Sequence, residues 1–228
     1  MVNMEKEIVI VGCSEFSRMM ASYLKQDGYI VAAYCQDRKY MDRDCFIDWE
    51  GIEVPVAAFE DIETVYPPDQ YDMLITIGYN SMNEIRKNKY HEAKAKGYSI
   101  CSYIHKSAVN SAEQIGEGNI LLENVSLGKG VILGDCNILQ MNTVIAHHTK
   151  IGSFNFFAPG AVLAGDIEVA DNCFFGINCA VKNGIHVAEY TLCGAGSVVA
   201  FSTESYNVVV PGRSVILDKD SRNMRLLT

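Results

Sequence analysis

The sequence predicts two joined folds: a small α/β, Rossmann-like domain over residues 1–104, and a hexapeptide-repeat parallel β-helix over 105–228. Three observations carry this. Short apolar runs alternate with helix-like segments in the first half, the pattern of a parallel sheet covered by helices. From Val109, every sixth residue through Val199 is apolar, sixteen positions in all. Directly after that residue stands Gly or Ala in twelve of the sixteen units. With half of all residues apolar, chance gives sixteen such hits about once in tens of thousands.

In the first half, Glu7-Ile8-Val9-Ile10-Val11 is an apolar run ending at Gly12, as expected of a strand buried on both faces. Ser14 to Gln26 places Phe16, Met19, Met20, Tyr23 and Leu24 at helical spacing, and Gly28 closes the helix. Further strands are expected over Tyr29–Tyr34, Tyr71–Ile77 and Tyr98–Tyr103, with a helix over Ser81–Lys96 ended by Gly97. The cluster Arg86, Lys87, Lys89, Lys94 and Lys96 reads as that helix's solvated face.

In the second half, a strict period of six fits neither an α-helix nor a sandwich. It fits a prism of short parallel strands in which three units complete a coil. The apolar residue points inward, and the small residue after it lets the chain turn without a Cβ clash. Sixteen units make about five coils, capped by the α/β domain and by the tail after Ser202.

Net charge is −9, from 19 basic and 28 acidic residues, which argues against a nucleic-acid or anionic-membrane surface as the main partner. No basic patch is interleaved with stacking aromatics. No apolar run approaches the roughly 20 residues of a membrane span, and the N-terminus lacks the features of a signal peptide. A cytoplasmic protein is expected. The eight cysteines form no CxxC pair and read as free, mostly buried thiols. Phe154, Phe157, Phe174 and Phe175 read as packing or subunit-interface residues.

The connector Tyr103-Ile104-His105-Lys106-Ser107-Ala108, the segment Val144-Ile145-Ala146-His147-His148-Thr149-Lys150-Ile151-Gly152, and Phe175-Gly176-Ile177-Asn178 make the chain resemble the sugar acyltransferases of the bacillosamine and sialic-acid type. The resemblance runs from Ile8 to about Gly212. It implies a left-handed β-helix, a homotrimer, acetyl-CoA as co-substrate without a metal, and a nucleotide-linked amino sugar as acceptor. Sialic-acid-type O-acetylation, or a non-catalytic sugar-nucleotide-binding relative, are the alternatives.

Acyl transfer from a thioester to an amine needs a base, because the amine must attack in its neutral form. His147 stands two places after the inward-facing Ile145, near a corner, and matches the family's catalytic histidine; His148 follows it. Relatives tend to carry Asp or Glu at the second position to orient the imidazole. Here the orienting acceptor is expected to be a backbone carbonyl, Asn142, Thr143 or another subunit. Phe156 stands where some relatives have a cofactor-touching histidine. The positions matching the family's coenzyme groove are Gly160, Ala161, Gly176, Ile177, Ala195, Gly196, Pro211 and Gly212, with Arg213 as a phosphate contact. Those matching its sugar-nucleotide site are Gly12, Cys13, Ser14, Asp37, Gly78 and Asn80, although Glu15 replaces a small residue in the first loop. A γ-class carbonic anhydrase shares the hexapeptide pattern but needs three zinc-binding histidines. His186, about two coils from His147 and out of phase with it, does not complete such a set within one chain.

Overall fold

The computed structural model describes residues 7–212 and 214. Its first half is a five-stranded sheet of order β3-β4-β2-β1-β5, built from β1 (Glu7–Val11), β2 (Val31–Gln36), β3 (Cys45–Ile47), β4 (Glu53–Ala58) and β5 (Tyr71–Ile75). All pairings are parallel except β3 with β4. Alternation along β1 sends Ile8 and Ile10 to one face and Val9 and Val11 to the other. The first face packs on Met20, Ala21 and Leu24 of α1 (Glu15–Gln26). The second packs with Ile62 of the one-turn α2 (Ile62–Val65) and with Tyr90 and Ala93 of α3 (Glu84–Ala95).

Local chemistry explains the boundaries. Ser14 caps α1 reciprocally with Ser17: Ser17 N donates to Ser14 Oγ at 3.2 Å and Ser14 N to Ser17 Oγ at 3.0 Å. Helix α3 begins later than Ser81 because Ser81, Met82 and Asn83 all have positive φ. That irregular turn is held from the β-helix, where Asn172 Nδ2 donates to the Met82 carbonyl at 3.0 Å and Asn83 Nδ2 donates to that of Cys173 at 3.1 Å. The expected strand over Tyr98–Tyr103 is reduced to a single bridge between Ile100 and Met73, and Tyr103–Ile104 instead joins the β-helix through Ile120–Leu121. The β-helix thus takes up the chain two residues ahead of the 104/105 division read from the sequence.

The second half forms three sheets of two-residue parallel strands. The first face carries Ser126–Leu127, Val144–Ile145 and Val162–Leu163; the second Ile132–Leu133, Lys150–Ile151 and Glu168–Val169; the third Ile138–Leu139, Phe156–Phe157 and Phe174–Phe175. Strand partners lie 18 residues apart along the array, as in Leu127 with Ile145 and Ile145 with Leu163. The second residue of each of these strands is buried in one continuous core, where the Phe157 and Phe175 rings stack at 4.6 Å. Val109 breaks the pattern. Leu127 pairs with Asn110 rather than Val109, so the first coil is one residue short and Val109 is exposed.

The small residue after each inward position does not itself make the corner. Gly134 lacks room for a Cβ because one would meet the Gly152 carbonyl oxygen at 2.7 Å, in the next coil. The left-handed turn falls two residues later. Asn124, Asn142, Gly160, Asn178 and Gly196 line one edge with positive φ, and Gly130, His148, Asp166 and Gly184 line a second. Inside, Asn119, Asn137 and Asn155 form a ladder: Asn137 N donates to Asn119 Oδ1 at 2.9 Å, and Asn155 N to Asn137 Oδ1 at 2.8 Å. All eight cysteines are free, six of them buried. Among the described residues, no helix is long and apolar enough to cross a membrane.

Arg86 is no solvated residue. It is wholly buried, and its guanidinium donates to the carbonyls of Gly78 at 2.7 Å, Cys136 at 3.1 Å, Phe154 at 2.8 Å and Asn155 at 3.0 Å. Helix α3 is thereby bolted to the β-helix. Phe154 packs against Tyr90 of the same helix.

Candidate active site

His147 and His148 occupy the corner between the first and second faces, after Val144–Ile145 and before Lys150–Ile151. Both are exposed. Their Nδ1 atoms stand 3.1 Å apart with the rings nearly perpendicular, at 77°. Two neutral imidazoles meeting this way share one proton between the facing nitrogens, leaving each Nε2 outside the contact. The two side chains expected as acceptors for His147 are engaged elsewhere. Asn142 Oδ1 accepts from Asn124 Nδ2 at 3.3 Å, and buried Thr143 donates to the Gln140 carbonyl at 2.7 Å. His148 itself is the partner.

Room for the two rings comes from glycines in neighbouring coils. A Cβ on Gly165, one coil after His147, would lie 2.4 Å from His147 Cε1. A Cβ on Gly130, one coil before His148, would lie 2.7 Å from His148 Cδ2. Asp166, one coil after His148, donates its backbone N–H to the His147 carbonyl at 3.0 Å. One side-chain donor atom from each of His147, His148 and Asp166 lies within 4.8 Å of the other two. Gly165 and Asp166 escaped the sequence reading, yet adding the 18-residue coil to 147 and 148 finds both.

The residues matched to the coenzyme groove fall on another corner, between the third and first faces. Ile177, Ala195 and Gly196 are exposed there, as are Pro211 and Gly212 beyond the last coil. Gly160 has a φ of +73°, and a Cβ on it would also meet Asn178 Oδ1 at 2.2 Å. Ala161 is fully buried, its N–H donating to the Ala158 carbonyl at 3.2 Å and its own carbonyl accepting from Val144 at 2.9 Å. Gly176 is needed by the coil itself, since a Cβ would meet Ala195 N at 2.5 Å. Phe156 is nearly buried on the third face, stacked on Phe174 at 5.6 Å, with Tyr79 over both rings. Arg213 lies outside the described residues.

In the first half, a cavity of about 440 Å³ opens at the carboxyl ends of β1 and β2, the place where open α/β sheets bind ligands. Gly12, Asp37 and Asn80 line it, with Tyr40, Phe59 and Lys89. Lys89 Nζ lies 2.5 Å from Asp37 and 4.2 Å from the Phe59 ring centroid. Burial pulls the Lys89 pKa down, but the carboxylates of Asp37 and Glu92 outweigh it and hold the ammonium above its ordinary range. Gly12, with a φ of +122°, sits where a Cβ would meet Thr76 Oγ1 at 3.0 Å. The other predicted residues of this set serve the fold. Ser14 caps α1, and the Gly78 carbonyl accepts from Arg86. Cys13 packs with the cluster on the opposite sheet face, where burial pushes its thiol up to about 11.

No protein-family model matches the chain, and no curated protein matches it. Solved structures do. The acetyltransferase domain of PglB from Neisseria gonorrhoeae FA1090 superposes with a TM-score of 0.80 at 21% identity, over 90% of this chain and 97% of that one. A variant of the GDP-perosamine N-acetyltransferase of Caulobacter crescentus, in complex with CoA and GDP-perosamine, gives 0.79 at 23% identity, over 90% and 93%. WeeI from Acinetobacter baumannii AYE gives 0.77 at 22%, over 90% and 97%. The chain therefore has the two-part α/β and β-helix fold of these proteins along nine-tenths of its length.

Proposed function

We propose that this chain transfers the acetyl group of acetyl-CoA to the amino group of a nucleotide-linked amino sugar, with His147 as general base. The observation that carries the reading is the His147–His148 contact. With the shared proton on His147 Nδ1, His148 Nδ1 accepts it, and His147 Nε2 keeps a free lone pair. His148 thus does the orienting work for which a carboxylate is otherwise suited.

The chemistry follows. As the acceptor nitrogen attacks the thioester carbonyl carbon, the C=O electrons move to oxygen and His147 Nε2 removes a proton from the attacking nitrogen. Collapse of the tetrahedral intermediate re-forms C=O and breaks the C–S bond. The departing thiolate takes the proton back from His147 and leaves as free coenzyme A. Gly165 keeps the ring at its post.

The fold shared with a protein crystallised with CoA and GDP-perosamine supports the substrate classes. The nucleotide is assigned to the cavity of Gly12, Asp37 and Asn80, and the coenzyme to the corner carrying Gly160, Ile177, Ala195 and Gly196. These stand on one corner of the first face and His147 on the other. That face presents an outward column of Val109, Val144, Val162 and Val198, all exposed. Packing it around a threefold axis would bring the His147 corner of one subunit against the coenzyme corner of the next, which supports a homotrimer with active sites between subunits.

Release of free thiol from acetyl-CoA, followed with UDP-, dTDP-, GDP- and CMP-linked amino sugars, tests the reading. Turnover with at least one sugar, falling at least about 100-fold in His147→Ala, is expected. Turnover unchanged in that variant would overturn the assignment of the base; acetylation of a hydroxyl alone would move the chain to O-transfer.

A further inference from the structure

We propose that His147, His148 and Asp166 form a binding site for one divalent transition-metal ion of the zinc, nickel or copper kind. The geometry is ready for it. Two nitrogens each about 2.0–2.1 Å from one zinc ion stand roughly 2.9–3.3 Å apart at tetrahedral to octahedral angles, and the two Nδ1 atoms are 3.1 Å apart. Asp166 adds a carboxylate oxygen to the same cluster, all within 4.8 Å. Two imidazoles and one carboxylate favour ions late in the first transition row over calcium or magnesium. In the single chain all three residues are exposed. His148 and Asp166 also line a groove of about 490 Å³ with Glu168 and His186, which leaves room for water as further ligands.

The buried thiols are poor competitors. Desolvation pushes Cys101, Cys136, Cys173 and Cys179 up to about 12, and a protonated thiol is not a ligand. Resting on the acyl-transfer reading, the site has a consequence. An ion on both Nδ1 atoms leaves the neutral His147 ring its single proton only on Nε2, the nitrogen that must accept a proton in catalysis. Bound metal therefore switches the base off.

Equilibrium dialysis of the chelator-stripped protein against ZnCl2, with metal analysis and Co²⁺ absorption spectra, tests the site. Wild type is expected to take one zinc per chain. His148→Asn and Asp166→Asn are expected to weaken binding at least about tenfold without unfolding, because asparagine already holds the left-handed corner at Asn124, Asn142 and Asn178. Equal affinity in both variants, or intense near-ultraviolet thiolate bands with Co²⁺, would overturn the proposal. Turnover measured in EDTA separates the two readings. Turnover that one equivalent of zinc abolishes supports the switch, and turnover that bound zinc leaves intact overturns it. No turnover in EDTA counts against the acyl-transfer reading alone, and the dialysis still decides the site.

Discussion

Arg86 Nη2 donates to the carbonyls of Phe154, at 2.8 Å, and of Asn155, at 3.0 Å, where the β-helix turns beneath α3. With Cys136, Ile77 and Gly78 these make five partners, all backbone carbonyls, so a full positive charge is buried on dipoles. Burial pulls the guanidinium down to about 10, and it remains charged at neutral pH. Arg86→Met should strand these carbonyls and cost about 3 kcal/mol or more, read as a lower urea midpoint. Arg86→Lys should recover only part of it, because one ammonium cannot span the same fork of acceptors.

Much of the fold was legible because a two-residue strand plus corner repeats without interruption, and inward positions from Ile115 onward tolerate only apolar groups. The slip at Val109 was not, since the missing residue falls between Asn110 and Ile115, where the pattern carries no marker. The fate of Arg86 was hidden for a different reason: a cation on a polar helix reads as solvated unless the carbonyls that receive it are known. The same holds for the site. His147 stood out, but Gly165 and Asp166 belong to it through coil stacking, a relation of 18 residues invisible to local spacing. The hairpin of β3 and β4 gave no alternating pattern strong enough to find, although Asp48 organises its turn.

That aspartate gives a pH-dependent stability. Asp48 is buried, its Oδ1 accepting from the Ile52 N–H at 2.7 Å while its other oxygen pairs with Lys25. Burial favours the neutral acid, but Lys25 and the Ile52 N–H outweigh it and hold the carboxyl below its ordinary range. A depressed folded pKa contributes stability above the unfolded value of about 3.9, lost as pH falls toward the folded one. Asp48→Asn should therefore cost about 1–3 kcal/mol at pH 7, with the gap to wild type closing below pH ~4. Urea titrations at pH 7 and pH 3 compare the two; a gap that stays constant would refute the linkage.

Gly165→Ala separates positioning from folding. Its backbone lies outside the left-handed region, and the three nearest atoms to an added Cβ all belong to the His147 ring. The methyl group should push that ring aside and leave the coil intact. An ångström of misplacement lowers turnover by about 100-fold, whereas the thermal midpoint should move by only a few degrees. Unaltered thiol release in this variant would show that the ring's position against Gly165 is not the catalytic one.

Val162→Arg tests the proposed trimer and the active site proposed between its subunits. Val162 projects outward from the first face between Val144 and Ala180, whereas its neighbour Leu163 fills the core, so the substitution leaves the interior untouched. In a free monomer an arginine there would extend into water at a cost within about 0.5 kcal/mol. In a trimer closed on this face, three guanidiniums would be forced together near the axis with no carboxylate column opposite, since the strand residues flanking Val162 are Val144 and Ala180. Sedimentation should show monomers with an unchanged circular-dichroism spectrum, and turnover should vanish because the His147 corner no longer meets a neighbour's coenzyme corner. A trimeric variant with full activity would place the subunit contact on another face.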